Sequence, residues 1–161
     1  MEKQEFEPIL KYEQETGKLY WKCNLNSRAR QGKEAGCVNK NGYKQIRFQG
    51  KSYLAHRIAF LLHHGWLPNT IDHKDGNKAN NKISNLRAAD SSLNNANKPV
   101  SKRNKTGIKG VHKATNSEKF VAQIAKNKKI FHLGIFNNIE EAKAAYNKAA
   151  EEIFGDFAHL N

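Results

Sequence analysis

Residues 71–94 read IDHKDGNKANNKISNLRAADSSLN, and the order of residue types in that stretch decides how the rest of the chain is read. TIDH (70–73) is short and β-compatible, and KDGNKANN (74–81) is loop chemistry. NLRAA (85–89) returns to a strand, and Asp90 or Ser91 is placed to cap a helix running through Asn97. The unit expected is therefore strand, loop, strand, helix. Neighbours on a strand point to opposite sides, so Asp72 and His73 can serve different partners from one short element.

Four side chains in this unit, Asp72, His73, Asn85 and Asn94, form the set that phosphodiester hydrolysis needs. The reaction calls for a water activated by a base and for a cation on the phosphate and the leaving oxygen. A helix packed on the two strands can turn the Asn94 side-chain oxygen toward Asp72. One carboxylate and one neutral amide leave a hard cation such as Mg²⁺ with open positions for water and substrate. Asp75-Gly76-Asn77 reads as a β-turn whatever the function. A calcium loop is excluded, because setting Gly76 at its sixth position puts Ile71 first and Lys82 twelfth, where carboxylates are required.

Upstream, Ala55, Ile58, Ala59 and Leu62 stand at helical spacing, and Gly65 supplies a stop before Leu67-Pro68. That helix carries His56, expected in the core, and Arg57, expected on a phosphate. His63 and His64 stand near its end, where they suit the C-terminal dipole. Residues 12–54 read as short strands, LYWK, AGCV, YKQIRF and SYLA, broken by turn signals such as Asn41-Gly42 and Gln49-Gly50. Downstream, Pro99 to Lys105 is polar and basic and reads as a linker. GIKGVHK, EKFVAQIAK and KIFHLGIF then read as strands. A helix follows, with Asn138 and Glu141 as a capping pair, an apolar stripe of Ile139, Ala142, Tyr146, Ala149 and Ile153, and Gly155 as terminator.

Two family resemblances rest on these residues. The string from Ile71 to Asn94, with HRIAF (56–60) before it, resembles the zinc-free, phage homing-endonuclease branch of the HNH endonucleases and its DHxDGNxxNN…NL…N pattern. The resemblance implies a ββα-metal core with His73 as general base, Asp72 and Asn94 as metal ligands, and Asn85 as the loop residue that orients His73. It also implies a divalent metal, Mg²⁺ with Mn²⁺ as the alternative. Residues 107–161 resemble the plant ethylene-response-factor type of DNA-binding domain in IKGVHK, FVAQI, HLGIF, EEAKAAYNKAA and the FGDFAHLN ending. In that family a three-stranded sheet enters the major groove and a helix backs it. Lys109 and His112 stand where the family's base-reading arginines do, while Ala114, Ala125, Ile130 and His132 replace its other Arg/Trp contacts, so the family's target site does not transfer.

The fold class expected is thus α+β, in three parts. Residues 1–98 form a small antiparallel β unit, a helix and the nuclease core; residues 99–106 a basic linker; residues 107–161 a three-stranded antiparallel sheet backed by one helix. Ile124, Phe131, Leu133 and the helix stripe are expected to fill the C-terminal core. The DNA-contacting residues expected are Arg57, Lys102, Arg103, Lys105, Lys109, His112, Lys113, Gln123, Lys126 and Lys129.

The bulk composition points the same way. The 161 residues carry 28 Lys+Arg against 15 Asp+Glu, a net charge of +13 that favours polyanionic partners. The excess is local: residues 98–132 hold ten Lys/Arg and one acid, Glu118, whereas the first 16 hold five glutamates and two lysines. No apolar run is long enough to cross a membrane, and the acidic opening MEKQEFEPIL does not read as a secretory signal. Cys23 and Cys37, lacking a CxxC partner, read as reduced, packing cysteines.

The function expected is a metal-dependent DNA endonuclease, phage- or mobile-element-encoded, acting on double-stranded DNA in the cytoplasm of a bacterial host cell. It is expected to be a monomer or weak dimer with no protein partner. The competing reading is a DNA-binding regulator whose nuclease core has decayed; loss of Asp72, His73 or Asn94 would mark it, and all three are present.

Overall fold

The computed structural model describes residues 1–160 and resolves into two compact units divided between Ala89 and Asp90. Asn161, the last residue of the FGDFAHLN ending, lies outside the described residues. The class is α+β, with antiparallel pairing throughout.

The first unit begins with a short helix α1 (Lys3–Phe6) and a hairpin of β1 (Leu10–Glu13) and β2 (Lys18–Trp21). A three-stranded sheet follows, β3 (Cys37–Val38), β4 (Lys44–Phe48) and β5 (Lys51–Leu54). Strands appear where LYWK, YKQIRF and SYLA predict them, but they divide into two sheets, and AGCV shrinks to a two-residue, exposed β3. Helix α1 and strand β1, which the acid-rich opening hides, are held by burial: Phe6 and Leu10 enter a core with Leu19, Ile46 and Ile58, and the Phe6 ring meets Tyr53 edge-on at 5.0 Å. Cys37 is exposed and so does not pack; both cysteines are free.

Helix α2 (Ala55–His64) has the expected ten residues. Gly65 ends it at φ 77, a left-handed conformation that favours glycine, and its N–H donates to Leu61 O. The helix buries Ile58, Ala59, Phe60 and Leu61. It is followed by β6 (Thr70–His73) and β7 (Leu86–Ala89), which pair in the register Asp72 to Arg87 and His73 to Leu86.

The second unit holds α3 (Ser91–Asn97), β8 (Val111–Lys113), β9 (Phe120–Lys126), β10 (Lys129–Phe136) and α4 (Ile139–Phe154). Asp90 caps α3, accepting from the N–H groups of Ser92 and Leu93 at 2.8 Å each. Asn138 caps α4 through the Glu141 N–H at 2.8 Å. The stripe that α4 buries is Ala142, Tyr146, Ala150 and Phe154; Ile139, Ala149 and Ile153 only flank it. The sheet order is β10-β9-β8, with a register shift between His132 and Gly134. Phe131, expected in the core, is 47% exposed, while Ile124 is buried and Leu133 packs at the margin.

Two expectations about the boundary change. Helix α3 joins the second unit, because Ala96 is buried with Val111 and Ala122 and Leu93 packs beside them. The stretch expected as a linker, 99–106, is partly a tied turn. The Asn104 amide donates to Ile108 O at 2.8 Å, and the Thr106 hydroxyl donates to Val111 O at 2.8 Å. Among the described residues no helix is long and apolar enough to cross a membrane.

Candidate nuclease site

Five polar residues are buried in the first unit: His56, Asp72, His73, Asn81 and Asn85. Burial of an unpaired polar group costs free energy, so the question is where each finds its partner. Asp72 and His73, adjacent on β6, are each 5% exposed. Their side chains go separate ways, as strand alternation requires.

Asp72 Oδ2 accepts from Arg87 Nε at 2.9 Å and lies 2.7 Å from Nη2. The register dictates this pair, since Arg87 stands directly across the ladder from Asp72. His73 Nε2 lies 3.2 Å from Asn81 Oδ1. Burial pushes the His73 imidazole below its ordinary value, against the opposing pull of Asn81, Asp75 and Asp72.

The loop between β6 and β7 is stapled by amides. Asn85 Nδ2 donates to Asp75 Oδ1 at 2.9 Å and to Asn80 O at 2.8 Å, and Asn85 Oδ1 accepts from the Asp75 N–H at 3.1 Å. Asp75 also takes the Asn80 amide at 2.7 Å and the Asn77 N–H at 2.8 Å, and these bonds hold its carboxyl below the usual range despite partial burial. Asn85, expected to orient His73, thus works one step away: it fixes the loop, and its carbonyl takes the Lys74 N–H at 2.9 Å. The side chain bonded to the His73 ring is Asn81, which the sequence reading missed. The second Asn of the Asn80-Asn81 pair was the available signal.

The N-terminal hairpin reaches this loop from the other side. Tyr12 Oη donates to Asn81 O at 2.7 Å, and burial pushes that phenol up to about 12. Gly17, at φ +73 in the β1–β2 turn, passes so close that a Cβ would stand 2.4 Å from Lys82 N and 2.5 Å from Asn81 C. Only glycine meets both demands. His56, 5% exposed, stacks edge-on to His73 at 4.9 Å between ring centres, and Tyr43 lies 5.4 Å from His56 and 6.1 Å from His73. Burial holds the His56 imidazole down to about 3, helped by His73 and Arg57, so it is neutral. His56 Nδ1 and Asn81 Nδ2 are buried without a hydrogen-bond partner among the described residues.

The remaining expected site residues are distributed as follows. Asn94 lies half-buried on α3, in the second unit, whereas Asp72 lies in the first. Arg57 donates to Asn69 O at 3.1 Å and Pro68 O at 3.3 Å, securing the segment after α2. Lys102, Arg103 and Lys105 are exposed. Lys109 donates to the carbonyls of Ala96 at 2.5 Å, Lys98 at 2.6 Å and Asn95 at 3.1 Å, at the end of α3, and burial pushes its ammonium down to about 8. Lys113 pairs with Glu118 at 2.8 Å, and Lys126 donates to Ile153 O at 3.3 Å.

Register explains those last two. Val111, Ala122 and Ile124 face the helix, so Lys113 (opposite Phe120), Lys126 and its partner Lys129 share that side of the ladder. The face turned away from the helix carries His112, Val121, Gln123, Ala125, Ile130, His132 and Ile135. Its strands therefore present no Lys or Arg there, a correction to the expected basic sheet face.

Among the described residues no group of three or more His, Cys, Asp or Glu side chains is placed to hold a metal ion. The Asp72 carboxylate, with amide and water oxygens, is the type of donor that suits a hard cation.

Residues 53–96, from β5 through α2, β6, the stapled loop and β7 into α3, match the model of the HNH endonuclease family. The chain is also 36% identical, over 126 residues, to a protein of Acanthamoeba polyphaga mimivirus that carries the name uncharacterized HNH endonuclease. That alignment covers 77% of this chain and 65% of the relative, so the chain spans slightly under two thirds of the relative's length.

Proposed function

We propose that the chain is a metal-dependent HNH endonuclease that hydrolyses phosphodiester bonds in double-stranded DNA. The observation that carries the reading is the pair Asp72 and His73: adjacent on β6, both buried, one in an ion pair and the other bonded to a buried amide. A structural strand gains nothing from placing two titratable groups out of water, whereas a reaction centre does.

His73 is the general base. With Asn81 Oδ1 accepting at Nε2, the ring proton sits on Nε2 and the lone pair on Nδ1, where it takes the proton of the attacking water. A depressed imidazole pKa keeps that lone pair available at neutral pH. The incoming hydroxide forms its bond to phosphorus as the bond to the 3′ oxygen breaks. Asp72 would be the carboxylate ligand of a divalent cation, Mg²⁺ or Mn²⁺, and Asn94 is the amide ligand that the family resemblance implies. That cation, when bound, supplies positive charge to the phosphate and the leaving oxygen. Asp72 fits this part in being a buried carboxylate whose charge Arg87 already compensates in part. Asn85 and Tyr12 hold the loop, and His56 and Tyr43 wall the base. The exposed Lys102, Arg103 and Lys105 supply phosphate contacts, and the α4-backed sheet, with His112 and Gln123 outward, supplies the duplex-binding module. The viral source of the relative supports a phage- or mobile-element-borne gene acting inside a host cell.

The test is supercoiled plasmid incubated with wild type and His73→Ala, with Mg²⁺ and with a chelator. Wild type should convert it only with Mg²⁺, and His73→Ala should be slower by about 10²–10⁴-fold. Equal rates would remove His73 from the mechanism. A wild type that shifts DNA on a gel but leaves the plasmid intact would establish the DNA-binding regulator instead.

A further inference from the structure

A recess of about 890 Å³ opens on the outer face of the β3–β4–β5 sheet, away from Asp72 and His73 in the lining it uses. Alternation along β4 buries Ile46 and turns Gln45 and Arg47 outward, while the register sets Cys37 opposite Gln45 and Ser52 opposite Arg47. Arg28 and Lys33 close the recess from the segment between β2 and β3. That segment is built rather than slack. Asn26 Oδ1 accepts from the N–H groups of Arg28 at 3.0 Å and Ala29 at 2.9 Å, and Asn24 Oδ1 accepts from Gln31 N at 3.0 Å. Gly36, at φ +91, lets the chain cross β4 where a Cβ would stand 2.8 Å from Gln45 O.

The charges of this recess are unbalanced. Its lining has one carboxylate, Glu34, and that group is already held by Lys44 and by Lys18 at 3.6 Å. Arg28, Lys33 and Arg47 have no carboxylate within ion-pair distance among the described residues, and all three are exposed. Gln45 Oε1 is taken by Asn39 Nδ2 at 3.1 Å, which leaves the Gln45 amide as a donor. Strand β4, from Lys44 to Phe48, spans about 13 Å. Over about 13 Å of its axis, duplex DNA carries about eight phosphate charges, ample for three cations.

We propose that this recess is a duplex-DNA contact surface in which Arg28, Lys33 and Arg47 each engage a backbone phosphate, with the Gln45 amide donating beside them. It rests on the reading of the chain as acting on DNA, and gives the N-terminal β unit a function that the site itself does not require. Phosphate contacts fix register without reading sequence, so the surface contributes affinity on every duplex alike.

The test uses the full chain, a labelled duplex and a chelator, so that binding is read without cleavage. Across about 50–200 mM salt, the triple variant Arg28→Gln, Lys33→Gln, Arg47→Gln should lower the slope of log K against log salt by about 2.7, or about 0.9 per lost phosphate. An unchanged slope overturns the proposal. A second readout needs no change to the cations. In a Cys23→Ser chain, duplex should slow alkylation of the exposed Cys37, while inorganic phosphate at equal concentration should not. Undiminished alkylation under saturating duplex overturns the proposal, and poly-glutamate protecting as well as duplex overturns it in favour of an acidic protein ligand. Plasmid cleavage by wild type separates the two readings. Cleavage with an unchanged slope removes the recess alone, and a changed slope without cleavage removes the nuclease alone.

Discussion

The two units are built on opposite terms. In the first, five buried polar residues, His56, Asp72, His73, Asn81 and Asn85, crowd around one strand and one loop; in the second, the described core is hydrophobic, with the Tyr146 phenol as its polar group. The second unit keeps its polar groups at its edges, where Lys109 and Lys126 end on helix carbonyls and Lys113 on Glu118. The first offsets part of its costly interior polarity, with Arg87 against Asp72 and Asn85 against Asp75 and Asn80, while His56 Nδ1 and Asn81 Nδ2 stay without a hydrogen-bond partner among the described residues. A unit with a dry core can be stabilised like any small domain, whereas one that holds charge and lone pairs inside keeps them where stability alone would exclude them.

The sharpest way to break that contrast is to remove one partner of the interior pair. Asp72 and Arg87 side chains are 6% and 12% exposed. Asp72→Ala leaves a guanidinium buried without its carboxylate and should cost about 3–5 kcal/mol in denaturant unfolding. Adding Arg87→Leu should restore most of that loss, because the penalty belongs to the stranded charge rather than to the missing bond. A single variant as stable as wild type would mean that the pair contributes nothing to the fold.

What the sequence made legible follows from this same division. The β6–loop–β7 order, the ten residues of α2, the Asp90 and Asn138 caps and the turn at Gly155 rest on local rules, and each appears in the structure. Asp72 and His73 were legible as a pair, but their partners were less so: Arg87 follows from the ladder register and Asn81 from a loop conformation, and neither has a sequence period. Lys126 is a different case. Its parity with Ala122 and Ile124 on β9 already assigns it to the helix side, yet its charge suggested the outer face. The α4 stripe slipped because Ala150 and Phe154 continue a four-residue spacing that Ala149 and Ile153 mimic one position earlier. Helix α1 and strand β1 were hidden because only long-range burial of Phe6 and Leu10 selects them.

A pH titration probes the contrast at His56, which faces His73 and Arg57 and is neutral when folded. Its pKa is held down to about 3 by burial, then by those two groups, whereas the unfolded chain protonates it near 6.5. Between those values the unfolded state binds the extra proton. Stability from this residue is therefore fully present above about pH 6.5 and is lost as pH falls toward 3, with a slope approaching about 1.4 kcal/mol per unit. His56→Leu should flatten that part of the unfolding curve. A variant that keeps the wild-type slope would assign the acid sensitivity to other groups. The second unit has no buried histidine among the described residues, so a reporter on α4 should respond less.

The smallest effects are expected at two lysines of the second unit that the sequence treats alike. Lys109 ends on three carbonyls at the close of α3, in the position of a C-terminal cap, and burial leaves it charged at pH 7 with a pKa of about 8. Lys113 reaches a glutamate whose side chain is 94% exposed. Lys109→Met strands those carbonyls and should cost about 1–2 kcal/mol. Lys113→Met removes only a surface ion pair, screened by water and salt, and should cost less than about 0.5 kcal/mol. Thermal unfolding of the two variants side by side decides between them. Equal midpoints would return Lys109 to the solvent-facing role that its charge first suggested, and would release α3 from the lysine that holds its C-terminal turn to the sheet. A lower midpoint for Lys109→Met alone would show that this lysine is spent inside the unit rather than turned to solvent.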